Sequence, residues 1–135
     1  MWALWLLLAS VQLKIPPVMA IPQTGVSPTV DGKVGRSEWS GAVEVELSLT
    51  TGGKPRYATK ALVVVSSDTL CVAFLCQDPE VRAERRKPDD GGIFKDDCVE
   101  VFVNPRCDRR SYLHFAVNAE GAKYEARCSR PSTCI

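Results

Sequence analysis

An all-β fold, an antiparallel β-sandwich with jelly-roll-like connections, is the architecture this sequence predicts. Three observations carry the prediction. The apolar runs are short and are broken by turn residues. One of them, Val43 to Thr50, alternates strictly, with Val43, Val45, Leu47 and Leu49 set against Glu44, Glu46 and Ser48, the period of a half-buried strand. Neighbouring runs are joined by short polar turns, Ser66-Ser67-Asp68 and Glu120-Gly121, as the strands of hairpins are.

Residues 1–20 stand apart. Trp2 to Val11 is an apolar run followed by Val18-Met19-Ala20, small or apolar residues suited to a signal peptidase cut. The run is shorter than the roughly 20 residues that span a membrane. It reads as a secretory signal peptide cleaved after Ala20, although no Lys or Arg precedes the apolar run and only the α-amino group supplies positive charge there. Residues 21–28 form a proline-containing polar lead, and residues 29–135 form one domain.

Within that domain Thr29 to Gly32 reads as a short strand entering a turn. Ser37 to Ala42 reads as one helical turn that sets Trp39 into the core. Gly52 to Pro55 is a turn. Ala58 to Val65 and Thr69 to Cys76 are nearly continuous apolar runs, as expected of two central strands. Asp78 to Gly92 is a long polar loop whose charge run, Arg82 to Lys87, is balanced by Glu80, Glu84, Asp89 and Asp90, the composition of a solvated segment. Cys98 to Val103 is the next strand, stopped by Asn104-Pro105, and Ser111 to Asn118 pairs with Ala122 to Cys128 in a last hairpin.

Side chains alternate across a strand. Glu100, Phe102 and Asn104 therefore share one face, and Tyr112, His114, Ala116 and Asn118 another, with Leu113, Phe115 and Val117 opposite. The second apolar set is the expected core, and the His114 face the expected surface. That surface combines hydrogen-bonding groups with an aromatic ring, the composition a sugar site needs.

Charge excludes some function classes. Lys14 leaves with the signal, so 16 basic and 16 acidic residues remain. A balanced surface offers nucleic acid no basic face and anionic membranes no attraction. Six cysteines in an exported chain permit three disulfides, with connectivity not readable from spacing. Cys71 and Cys76 lie on opposite faces of one strand and are not expected to bond each other. Cys76 and Cys98 fit buried free thiols equally well, whereas Cys107, Cys128 and Cys134 lie where a bond forms more easily.

Catalytic patterns are missing from the sequence. There is no G-x-S-x-G elbow around Ser37 or Ser40, and His114 is the chain's one histidine, on a strand. Asp96, Asp97 and Glu100 are too close in sequence to face each other across the about 5 to 9 Å that separates glycosidase carboxylates. The expectation is a binding module with no enzymatic activity of its own. No cofactor is required. Asp89 to Glu100 has the length of a calcium-binding EF-hand loop but lacks its internal pattern, with Phe94 where the glycine belongs. Asp31 and Asp78 are the acids placed to join backbone carbonyls around a Ca2+ ion, and both are also natural turn residues.

Four stretches, in order, resemble the family 9 carbohydrate-binding modules: Val30-Asp31-Gly32-Lys33 with Glu38-Trp39; Asp68 to Phe74 with Asp78-Pro79; Ile93 to Val103; and Tyr112 to Gly121. The resemblance implies a secreted β-sandwich that binds xylan or cellulose chains, takes part in carbohydrate catabolism beside a glycoside hydrolase domain or partner, and is supported by calcium. It implies that Phe94 stacks on a sugar ring and that Glu100 hydrogen-bonds sugar hydroxyls, with Asp97 matching the acid that precedes the strand. His114 and Asn118 are neighbouring polar groups expected to reach further hydroxyls. Ala116 stands where sugar-binding members carry an arginine. The resemblance covers only the N-terminal part of a full module, which implies a sandwich lacking its C-terminal strands or completed by another chain. It departs from haem-binding sandwiches, because Met1 and Met19 both leave with the signal and no methionine ligand remains. The alternative is a structural or protein-interaction sandwich that has lost its sugar site.

Overall fold

A computed structural model of the protein describes residues 19–108, 110–129 and 133–134. The signal peptide reading of residues 1–20 falls outside the described residues, apart from Met19 and Ala20. The fold is nearly all β, sandwich-like in composition, as the sequence predicts. Two sheets form. The first contains β1 (Gln23–Thr24), β2 (Val43–Glu46), β3 (Thr59–Ser66) and β4 (Thr69–Cys76); the second contains β5 (Cys98–Val103), β6 (Ser111–Asn118), β7 (Lys123–Ser129) and β8 (Thr133–Cys134) in that order. A 3₁₀ turn, Ile93–Lys95, precedes β5.

The described residues divide into two compact units, 19–43 with 63–71, and 44–62 with the described residues from 72 onward. In the first, β1 runs parallel to the end of β3, with Gln23 opposite Val65 and Thr24 opposite Ser66. The carbonyl of Pro22 accepts from the Val65 N–H at 3.0 Å, and the Ser27 and Ser66 hydroxyls meet at 2.7 Å. The polar lead thus supplies a strand, and the strand expected at Thr29 to Gly32 is absent. Asp31 closes a turn there by accepting the Lys33 N–H at 2.9 Å, Gly32 takes a left-handed φ of 78°, and Val30 is left 92% exposed. The helical turn at Trp39 is present, with the Trp39 N–H bonded to the Gly35 carbonyl and the Ala42 N–H to that of Trp39.

In the second unit the strand expected over Val43 to Thr50 ends at Glu46, because a turn at Leu49 to Gly53 carries the chain off the sheet and exposes Leu47 and Leu49. β3 is central, flanked by strands on both sides and carrying the buried Ala61 and Val64 along its length; β4 is an edge, exposed at both ends. Both strands of this hairpin were expected to be central. Edge position explains why Leu70 and Leu75 remain 42% exposed.

The second sheet reverses the expected sides. Pairing of Glu100 with Ala116 and of Ala116 with Tyr124 puts Glu100, Phe102, His114, Ala116, Tyr124 and Ala126 on one face. On that face His114, Ala116, Asn118 and Cys128 are buried, whereas Phe115 on the opposite face is 38% exposed and β7 presents Lys123, Glu125 and Arg127 there. The cause is a lid of sequence-local origin. The 3₁₀ turn packs against β6 and buries Ile93 to 1% exposure, so the His114 face is covered from above. The Leu113 face instead borders a cleft of about 620 Å³ that Leu47, Tyr57, Phe74, Val99 and Val117 only partly fill.

Cys71, Cys76, Cys98 and Cys107 are free thiols: Cys71 and Cys76 do not bond each other, as expected, whereas Cys107, at a position favourable for a bond, forms none. Cys76 is exposed and not buried, since it ends an edge strand. Cys128 is fully buried and disulfide-bonded, and its backbone lies in register with Cys134 on β8. Burial, reinforced by the charges of Glu100, Asp96 and Asp97, raises the Cys98 thiol pKa and keeps it protonated.

Candidate functional site

The covered face of the second sheet ends in a row of aromatic rings. The His114 ring lies nearly parallel to Phe102, with centroids 4.3 Å apart, and nearly parallel to Phe94 at 5.5 Å. Tyr124 meets both His114 and Phe94 edge-on, at 5.4 and 5.1 Å, and Tyr112 meets Phe102 edge-on at 5.8 Å. These are the favoured geometries of aromatic pairs. The small side chains of Ala116 and Ala126, cross-strand neighbours of Tyr124 and His114, leave room for the rings to lie over the sheet. Phe94 and Phe102 are 42% and 58% exposed.

One carboxylate is tied into this row. Glu100 Oε2 lies 2.7 Å from His114 Nε2, and the Glu100 side chain is 38% exposed. His114 is therefore inside the row as a fixed hydrogen-bonding partner, and Glu100 is the polar group at its surface. Of the four residues expected to contact sugar, the structure brings Phe94, Glu100 and His114 together.

Asn118 belongs elsewhere. It is 5% exposed, and its amide is fully used: Nδ2 donates to the Arg85 carbonyl at 2.7 Å and to Asp96 Oδ2 at 2.8 Å, while Oδ1 accepts from the N–H groups of Glu120 and Ala122. No donor or acceptor is left for a hydroxyl. The expectation of a sugar contact is corrected to a structural clasp, which closes the β6–β7 turn and ties it to the loop before β5.

The rest of that clasp is Asp96, whose side chain is 2% exposed and takes hydrogen bonds from the Arg85 N–H at 3.0 Å and guanidinium at 2.8 Å. Asp97 accepts the Arg82 N–H at 2.6 Å and returns its own N–H to the Arg82 carbonyl. The charge run Arg82 to Lys87 is thus not wholly solvated; Arg85 is drawn in because the buried Asp96 carboxylate needs a cation. Burial by itself would raise the Asp96 pKa, but hydrogen bonds from Arg85 backbone and side chain, Asn118 and the Glu84 backbone outweigh it and hold the carboxyl well below the usual range. A depressed carboxyl pKa stabilises the fold above its unfolded value and loses that contribution as pH falls toward the folded one. Urea midpoints should therefore fall steadily below about pH 4, and the slope should flatten in Asp96→Asn; an unchanged slope in that variant would refute the assignment.

Asp31 and Asp78 each close a turn, Asp78 by accepting the Glu80 N–H at 2.9 Å. Calcium takes about six to eight oxygen ligands, and among the described residues no three His, Cys, Asp or Glu side chains gather into a metal-binding group.

Phe102, Tyr112, Tyr124 and Arg85 join these arrangements without having been singled out as site residues. The signal for the aromatics lay in register: once β5, β6 and β7 are aligned, all three fall on the Glu100–His114 face. Arg85 had no such signal, since it is one of several cations in a polar loop. Compared with protein-family models, with curated proteins and with solved structures, the chain matches none.

Proposed function

We propose that this protein is a secreted carbohydrate-binding module that holds polysaccharide, of the xylan or cellulose type, against the Phe94–His114–Phe102 row. The observation that carries this reading is the exposure of two phenylalanine rings beside a carboxylate that is itself 38% exposed while bonded to His114. Each phenylalanine has one face against His114 and the other turned away from it. A pyranose ring offers a patch of C–H groups that suits such a face, because the π-system is negative where the C–H hydrogens are positive. Hydroxyls at the rim of the same ring need a fixed acceptor, which Glu100 supplies with His114 holding its position. The resemblance of Ile93 to Val103 and Tyr112 to Gly121 to family 9 carbohydrate-binding modules supports the same residues. On this reading the module binds without chemistry of its own, in keeping with Asp96 and Asp97 being engaged by backbone and guanidinium partners.

Affinity electrophoresis through gels containing soluble xylan or hydroxyethylcellulose tests the reading. Migration should be retarded in at least one polysaccharide, and Glu100→Gln should weaken retardation about tenfold, the loss of one charge-assisted hydrogen bond. Unretarded migration in a broad polysaccharide panel would dispose of it.

A second reading, a protein-interaction sandwich, is favoured by a separate observation, the valine-rich outer edge of β5, which no strand pairs among the described residues.

A further inference from the structure

The outer edge of β5 has a set of properties that together specify a partner. β5 is the terminal strand of its sheet, paired with β6 on one side. Among the described residues, no strand pairs with its other side from Cys98 to Val103. That free stretch has definite limits. At one end the Arg82 carbonyl occupies the N–H of Asp97. At the other Asn104-Pro105 stops the strand, proline having no N–H to offer a ladder. Between them the sequence Cys-Val-Glu-Val-Phe-Val is rich in valine, carries a single charge at Glu100, which is tied to His114, and lacks the lysine, proline or bulge with which exposed edges are often blunted.

The strand is complementary to itself. Antiparallel pairing of two copies about a two-fold axis normal to the sheet keeps like faces together, so only registers centred on a residue are allowed. Centring on Glu100 sets two carboxylates directly opposite, which is unfavourable. Centring on Val101 sets Val99 opposite Val103 of the second copy on one face, and Glu100 opposite Phe102 on the other. No like charges meet, and the two blocking features fall just outside the paired residues at both ends. The valine face then continues across the junction, and Phe102, more than half exposed in one copy, gains a cross-strand neighbour.

We propose that β5 is a self-association edge, through which two copies of this chain join antiparallel about Val101 into one continuous eight-stranded sheet. The partner is a second copy of this chain because this register satisfies both strands at once. The inference does not depend on the sugar-binding reading.

Sedimentation velocity on the full chain tests it. The wild type should move from monomer to dimer with a midpoint in the micromolar range, and Val103→Lys, which opposes a lysine to Val99 of the second copy, should raise the dissociation constant tenfold or more while near-UV circular dichroism stays unchanged. A second variant guards against misfolding as the cause. Val101→Cys should form an interchain disulfide on mild oxidation, mapped by mass spectrometry to residue 101 in both chains, because directly opposed strand residues have the backbone separation a disulfide requires. The wild-type residue Cys98 lies opposite Asn104 in this register and should not cross-link to its own copy. A wild type that stays monomeric to about 200 µM, well above a micromolar constant, overturns the proposal. So does a dimer whose hydrogen-exchange protection lies away from residues 98–103.

Discussion

Replacing Asn118 by alanine is expected to destabilise the protein by about 3 kcal/mol, the largest effect of any single polar truncation in the sheet. The side chain is 5% exposed and engages four groups: the Arg85 carbonyl, Asp96 Oδ2, and the N–H groups of Glu120 and Ala122. Alanine leaves all four behind, each short of a partner in a place water reaches poorly. Losing a partner costs a fully buried group about 1 to 3 kcal/mol, and rehydration of the groups beside the exposed turn brings the four losses below their simple sum, to about 3 kcal/mol. In thermal unfolding the same change is a drop of about 12 °C for a domain of this size. Asn118→Asp is the informative companion. It sets a second carboxylate against Asp96, so its deficit should exceed that of alanine at neutral pH and shrink as the solution is acidified. Urea unfolding at two pH values measures both. A loss below about 1 kcal/mol for Asn118→Ala would mean that the loop before β5 is held by other contacts.

The second large effect concerns ligand. Phe102→Ala should reduce affinity for a retarding polysaccharide about thirtyfold, roughly 2 kcal/mol, while leaving the folded state nearly untouched. Separation of the two effects is possible because the ring is 58% exposed and packs mainly on His114 and Tyr112. Phe94→Ala should also weaken binding, but with a cost in stability, since Phe94 touches both His114 and Tyr124 beside the covered face. Isothermal titration with a soluble oligosaccharide, run beside a melting curve for each variant, distinguishes ring stacking from disturbed packing. Equal affinity of Phe102→Ala and wild type would remove this ring from the binding surface.

Much of the fold was legible because strands leave local marks. The β3–β4 hairpin follows from two apolar runs around Ser66-Ser67-Asp68, with Ser67 taking the left-handed φ of 54° that the turn demands. The side of the sheet that is covered was not legible. Periodicity separates Leu113, Phe115 and Val117 from His114, Ala116 and Asn118, but cannot say which set meets the lid formed by Ile93 to Lys95. Composition pointed to the wrong side, because two of the covered residues are polar and become buried only by finding Glu100, Arg85 and Asp96. Phe94 and Glu100 were singled out by the resemblance to family 9 carbohydrate-binding modules and His114 as their polar neighbour, and the structure brings the three side by side. Asn118 was misjudged for the opposite reason: an amide on a strand looks the same in sequence whether it faces solvent or closes a turn.

The pairing of β1 with β3 has a consequence for the order of events during synthesis. Gln23 and Thr24 must wait for Val65 and Ser66 before they have anything to bond. About forty residues of chain have to be made in between, several seconds at ordinary translation rates. Closing that loop gains only two residue pairs, so the step costs chain entropy with little immediate return. The first strand of the described residues can thus be placed only after the end of β3 has been made. A chaperone or protease meeting the nascent protein would find this segment available after the hairpin beside it had already formed.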